Sequence, residues 1–167
     1  PRKAGIALTG PVAGMYAALA IQAALAHRDR TGEGQHVDCC LMDSAVAMMA
    51  VMDMNYLVTG RAPGRIGNAH PNIVPYQTFA CADGHIILAV GNDGQFKRFC
   101  EAAGCAALAD ETRFKTNSQR IIHRGELIPL IAEVMRTRTK QEWLAALEAA
   151  TVPCGPINNM KEVFEDP

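Results

Sequence analysis

Few side chains in this 167-residue sequence are grouped so that they could do chemistry together. Asp38 and Asp43 flank the pair Cys39-Cys40. A carboxylate can attack an activated carbonyl or move a proton beside one. Both also have a duller role. Asp43 opens an apolar helical pattern, where a negative charge favours the positive end of the helix dipole, and Asp38 lies in a strand-like run. Arg61 and Arg65 stand in a Gly/Pro-rich stretch. Paired guanidinium donors match phosphate geometry, although solvated loop arginines are the commoner case. His70-Pro71 follows, and His70 reads either as a substrate or partner contact or as a surface turn residue. Cys81 and His85 are separated by three residues, but no second ligand pair follows, so no metal site is expected.

These candidates sit in a chain with 49% hydrophobic residues, 20% charged residues and a net charge of −1. The length suits one domain or one and a fraction, and the charge balance supplies no footprint for nucleic acid. The six cysteines (39, 40, 81, 100, 105 and 154) lie in apolar runs rather than at framework spacings. They read as buried thiols, and with no signal peptide visible the cytoplasm is expected. The apolar stretch from Val12 to Ala26 reads as too short and too rich in Ala and Gly to cross a membrane alone.

The elements that must position the candidates follow from periodicity and turn chemistry. Residues 11–28 read as a helix apolar on nearly every face, which something must cover. His36 to Leu41 reads as a short strand, and Met42 to Tyr56 as one methionine-rich helix. Gly60, Pro63, Gly64, Gly67, Pro71 and Pro75 make residues 59–75 a loop or linker. Tyr76–Cys81 and His85–Val90 flank Asp83-Gly84 as a hairpin. Asn92 with Gln95 predicts a capping box and a helix to Gly104. Asn117 to Met135 predicts a helix kinked at Pro129, with Ile121, Ile122, Leu127, Leu130, Ile131 and Val134 buried. Thr139 with Glu142 caps a helix carrying Trp143, and a short helix begins at Asn159. Residues 111–140 carry seven Lys/Arg against three Asp/Glu, and residues 141–167 one against five. The two blocks read as solvated faces that pair with each other, or as a basic rim for an anionic cofactor.

Composition alone stops at a soluble α/β protein. Ordered motifs go further: Gly14-Met15-Tyr16; Ala23 to Arg28; Thr31-Gly32-Glu33-Gly34-Gln35; Asp38 and Asp43; Gly67 to Tyr76 with Phe79 and Asp83-Gly84; and Val152 to Pro156 with Val163, Asp166 and Pro167. In this order they resemble the class III coenzyme A transferases over essentially the whole chain. The resemblance implies acyl-CoA thioesters as substrates, with coenzyme A moved between carboxylic acids; some members instead racemise 2-methylacyl-CoA. It implies a Rossmann-like large domain with a small α+β domain, and two chains interlocked as a homodimer. On that comparison residues 1–58 resemble the end of the large domain's first part, 59–75 the crossing linker, 76–150 the small domain, and 151–167 the start of the return. The chain would then be a fragment. The same comparison makes Arg61 and Arg65 candidates for coenzyme A, and Gly67, Asn68, His70 and Pro71 candidates for substrate.

In that family an Asp attacks the thioester, giving a mixed anhydride and then an aspartyl-CoA thioester. It stands four residues ahead of the glycine that matches Gly14, a position held here by Gly10. Glycine can neither attack nor carry a proton. Slipping the motif does not help, since the next carboxylate is Asp29 at the far end of the helix. Asp38 or Asp43 could substitute, although the structural account of each is preferred. The expectation is therefore no intact catalytic residue in this chain. The alternatives are a racemase-like protein or a non-catalytic oligomerisation or binding module.

Overall fold

A computed structural model describes residues 5–166. They form two compact units, Pro1–Gly64 and Arg65–Pro167.

Unit 1 is helical. Helix α1 runs Thr9–Thr31, longer at both ends than its apolar pattern suggested, and stops at Gly32, whose φ of 77° lets its N–H reach Arg28 O. Only Ala13 of α1 is buried. Its 23 residues meet the length and composition of a membrane-crossing helix, so the expectation that this stretch is too short does not hold. The strand expected at 36–41 is absent. The backbone at Cys40 is extended, but it meets no ladder partner among the described residues, and Cys39 Sγ donates to Ala13 O at 3.4 Å. Cys40 is exposed rather than a core thiol, and its sulfur caps α2 (Leu41–Met49) by accepting the Asp43 N–H. The expected single methionine-rich helix is broken. Ala50, at φ 44° and ψ −107°, separates α2 from α3 (Val51–Thr59), and the two axes bend by 79°. Alanine is the best helix former, so nothing local announces that break.

Unit 2 is an α+β domain around one three-stranded antiparallel sheet, in the order β1 (Tyr76–Ala80), β2 (His85–Ala89), β3 (Cys154–Pro156). Tyr76 pairs with Ala89 and Ala80 with His85, as the Asp-Gly hairpin requires. Gly84 does not take a positive φ; a Cβ there would lie 3.0 Å from Lys140 Cδ, a flexible side chain packed over the hairpin tip. Asp83 Oδ1 accepts the Lys140 N–H and so ties the hairpin tip to the start of the helix Lys140–Ala149. Residues beyond 150 belong to this unit: β3 pairs Ile87 with Gly155.

The helices of unit 2 are α4 (Asp93–Ala102), α5 (Ala107–Asp110), α6 (Asn117–Ile122), α7 (Arg124–Met135), α8 (Lys140–Ala149) and α9 (Met160–Glu165). Asn92 caps α4, but Gln95 Oε1 takes the Gly91 N–H rather than closing a box on Asn92. The helix expected across 117–135 is interrupted at His123, while Pro129 sits inside α7. That interruption changes which faces are buried. Leu127, Ile131 and Met135 are fully buried, but Ile122 is 71% exposed, and Ile121 and Leu130 also face out. Trp143 is buried, donates Nε1–H to Met135 O at 2.8 Å and carries the Arg138 guanidinium over its ring.

Helices α8 and α9 both open with complete capping boxes, Thr139/Glu142 and Asn159/Glu162. The Thr139 backbone N–H, then its hydroxyl, holds the Glu142 carboxyl below its ordinary range. A depressed folded pKa contributes stability that is present above the unfolded value and lost as pH falls through the folded one. Glu142→Gln should therefore flatten the acid limb of a thermal-midpoint-against-pH curve while leaving the near-neutral fold intact. An unchanged acid limb would contradict this cap assignment.

Candidate functional site

The sequence-expected residues fall at three places. Gly10 is exposed in the first turn of α1, and a Cβ built there meets no atom within 4 Å. The position can hold a side chain, and no side chain is there. The N-terminal end of a helix favours an anion, so a carboxylate would be stabilised at this place.

The second place lies in unit 1, where Tyr16, Asp38, Cys39, Asp43, Ser44 and Ala47 line a cleft of about 240 Å³. Ser44 is buried and donates Oγ–H to Cys40 O. Both carboxylates are exposed, and neither shares a hydrogen bond with a histidine or cysteine side chain among the described residues. Asp43 lies in the first turn of α2, as its dipole role requires.

The third is the turn Gly67–Pro75 in unit 2, and it is a built structure rather than a loose loop. Gly67 takes φ 67°, which favours glycine. Asn68 Oδ1 accepts the Thr78 N–H at 3.3 Å. His70 N–H donates to Tyr76 O at 2.8 Å, and its ring stacks on Tyr76 at 5.3 Å. Asn72 N–H donates to His70 Nδ1 at 3.1 Å, which assigns the neutral ring's proton to Nε2. His70 therefore keeps its Nε2–H as the donor available to a ligand.

Three residues that periodicity did not single out hold this turn. Asn117 donates Nδ2–H to Asn72 O and accepts the Val74 N–H at Oδ1. Arg124 Nη2 donates to His70 O and Pro71 O at 2.8 and 2.9 Å. Arg120 is fully buried and donates to Val74 O at 2.6 Å, Phe114 O at 2.9 Å and Asp93 Oδ1 at 2.8 Å, with its guanidinium 4.4 Å over the Phe96 ring. Burial pulls its pKa down and Asp93 opposes that, yet arginine stays protonated at any working pH. Three of the seven basic residues of the 111–140 block, Arg120, Arg124 and Arg138, thus hold backbone carbonyls within the unit. Lys140–Glu162 at 3.3 Å does join the two blocks.

Arg61 and Arg65 are exposed, and neither guanidinium has a hydrogen-bond or ion-pair partner among the described residues. They are free to meet an anion but are not aimed by anything. Unit 2 also carries a larger cleft, about 490 Å³, beside Arg98, Leu144 and the 151–156 stretch, apart from the 67–75 turn.

A helical unit whose first helix starts on a bare glycine, and a small α+β unit with a clamped Gly-Asn-x-His-Pro turn, together make up this α/β chain. Residues 1–167 match the model of CoA-transferase family III throughout, and the chain belongs to that family. It is 49% identical over 167 residues to the succinate–glutarate CoA-transferase of Agrobacterium fabrum and 40% identical to the human succinyl-CoA:glutarate CoA-transferase. All of this chain aligns in both cases, yet it spans only 42% and 38% of those relatives' own lengths. Among solved structures, a CaiB/BaiF family protein from Brucella suis superposes with a TM-score of 0.75 at 46% identity, covering 100% of this chain and 44% of that one. A Mycobacterium tuberculosis protein superposes with a TM-score of 0.85 at 26% identity, covering 100% and 43%.

Proposed function

We propose that this chain is a segment of a family III protein that handles dicarboxylyl-CoA thioesters, and that it lacks the nucleophile of the transferase reaction. The substrate class rests on the relatives named as CoA-transferases between succinate and glutarate. The absence of catalysis rests on one observation: Gly10 occupies the start of α1 where the family carries its aspartate, with open space in place of a carboxylate. In an active member that carboxylate attacks the acyl carbonyl and coenzyme A leaves as thiolate. The thiolate then returns to the aspartyl carbonyl, forms the aspartyl-CoA thioester and expels the donor's carboxylate. Among the described residues Asp43 is an exposed carboxylate in the first turn of α2, but it does not stand at the motif position four residues ahead of Gly14.

The same reading covers the partners. Leu19, Leu57 and Val58 are 68%, 71% and 77% exposed, which suits helices of a larger domain and an interlocked homodimer. It makes α1 a covered domain helix rather than a membrane span. Arg61 and Arg65 are the coenzyme A contacts of this proposal, and Gly67, Asn68, His70 and Pro71 the substrate-facing turn. No metal is required by the chemistry. The proposal puts the protein in a reducing compartment, the cytoplasm, a reading supported by six cysteines that are all unpaired.

The test is coenzyme A transfer from succinyl-CoA to glutarate, followed by chromatography of the thioesters. The 167-residue chain should show only the uncatalysed rate. Turnover well above that background, abolished by Asp43→Asn, would overturn the reading and move the nucleophile to Asp43.

A further inference from the structure

The end of α4 brings two thiols together in a way the transferase reading does not use. Gly104, at φ 72°, follows the last turn; its N–H reaches Glu101 O at 3.2 Å, and the Cys105 N–H reaches back to Cys100 O at 2.8 Å. This pair of bonds is a Schellman ending, in which the first and last residues of the motif normally touch through apolar side chains. Here both are cysteines. Standard covalent dimensions and the 2.8 Å bond keep their Cα atoms within about 6.7 Å, inside the span that disulfides bridge. Cys100 is fully buried, whereas Cys105 is partly open to solvent.

We propose that Cys100 and Cys105 are a reversible redox pair, closed to an intrachain disulfide by hydrogen peroxide. The environment divides the roles. The proximity of the two sulfurs pulls the Cys105 thiol below its ordinary range and pushes Cys100 up, with burial adding to the rise at Cys100. Cys105 is thus the more ionised and the more accessible, as an attacking thiol must be. Its thiolate attacks a peroxide oxygen; the S–O bond forms, the O–O bond breaks, and the departing hydroxide takes a proton to become water. Cys100 then attacks the Cys105 sulfenic sulfur; the S–S bond forms, the S–O bond breaks, and the hydroxide leaves with the Cys100 proton as a second water. Two thiols are oxidised by two electrons, and one peroxide is reduced to two waters. Elsewhere in unit 2, burial raises the Cys81 and Cys154 thiols, which makes them poorer competitors.

Trypsin places both cysteines in one peptide, Phe99–Arg113. The folded 167-residue chain is treated with peroxide, alkylated and digested. Phe99–Arg113 should appear two hydrogens lighter and unalkylated, and dithiothreitol before alkylation should restore the reduced form. In Cys105→Ser, Cys100 should be oxidised at least about tenfold more slowly than in the parent. In Cys100→Ser, Cys105 should run on to sulfinic acid instead of a disulfide. The proposal is overturned if Phe99–Arg113 stays fully alkylated while the exposed Cys40 is oxidised. It is equally overturned if the parent's Cys105 gains two oxygens with Cys100 still alkylated.

Discussion

Arg120→Ala is expected to cost unit 2 about 3–5 kcal/mol, the range found when one partner of a buried charged network is removed. The guanidinium is fully buried and satisfies three acceptors at once, Val74 O, Phe114 O and Asp93 Oδ1. Truncation orphans two buried carbonyls, leaves a cavity beside Phe96 and frees the end of the 67–75 turn. For a domain of this size the unfolding midpoint should fall by at least about 10 °C. Arg120→Lys should recover only part of the loss, because an ammonium cannot present a fork to three acceptors. A loss below about 1 kcal/mol in chemical denaturation would mean that the turn is held by Asn117 and Arg124 alone.

The second large effect is a gain. Residues 1–167 can be grafted into the Agrobacterium fabrum succinate–glutarate CoA-transferase in place of the matching 42% of its length. That chimera should show no transfer, and Gly10→Asp in the graft should raise the rate by about a thousandfold or more, the scale on which a nucleophile counts. The side chain has room, since nothing lies within 4 Å of its Cβ, and the first turn of α1 favours the negative charge. Gly10→Asn, the same shape without the nucleophile, should stay silent. If Asp and Asn behave alike, Gly10 is not the site of the missing function.

The sequence made some of this legible and hid the rest for physical reasons. The Tyr76–Ala89 hairpin and the capped starts of α4, α8 and α9 follow from local turn and cap chemistry, and the structure has them where residues 83–84, 92, 139 and 159 put them. The His36–Leu41 strand failed because a ladder needs a non-local partner, and Cys39 and Cys40 spend their sulfurs on Ala13 and Asp43 instead. The break at Ala50 carries no local signal at all. Arg120 was unreadable because a charge in a helical run normally faces water, and its acceptor Val74 lies 46 residues away. In the site, Gly67 to Pro71 read as a turn, but the arginine that fixes it reaches back 54 residues from Arg124 to His70. Gly10 was legible only through the order of family motifs, since a missing side chain leaves no mark in composition or period.

A family III chain without its nucleophile cannot form a covalent intermediate with an acyl-CoA thioester. Whole-protein mass spectrometry after incubation with succinyl-CoA, followed by tryptic mapping, tests it most directly. The predicted spectrum is the unmodified mass, with the peptide Ala4–Arg28 carrying no coenzyme A or succinyl group. A covalent coenzyme A thioester on any carboxylate of this chain would contradict it.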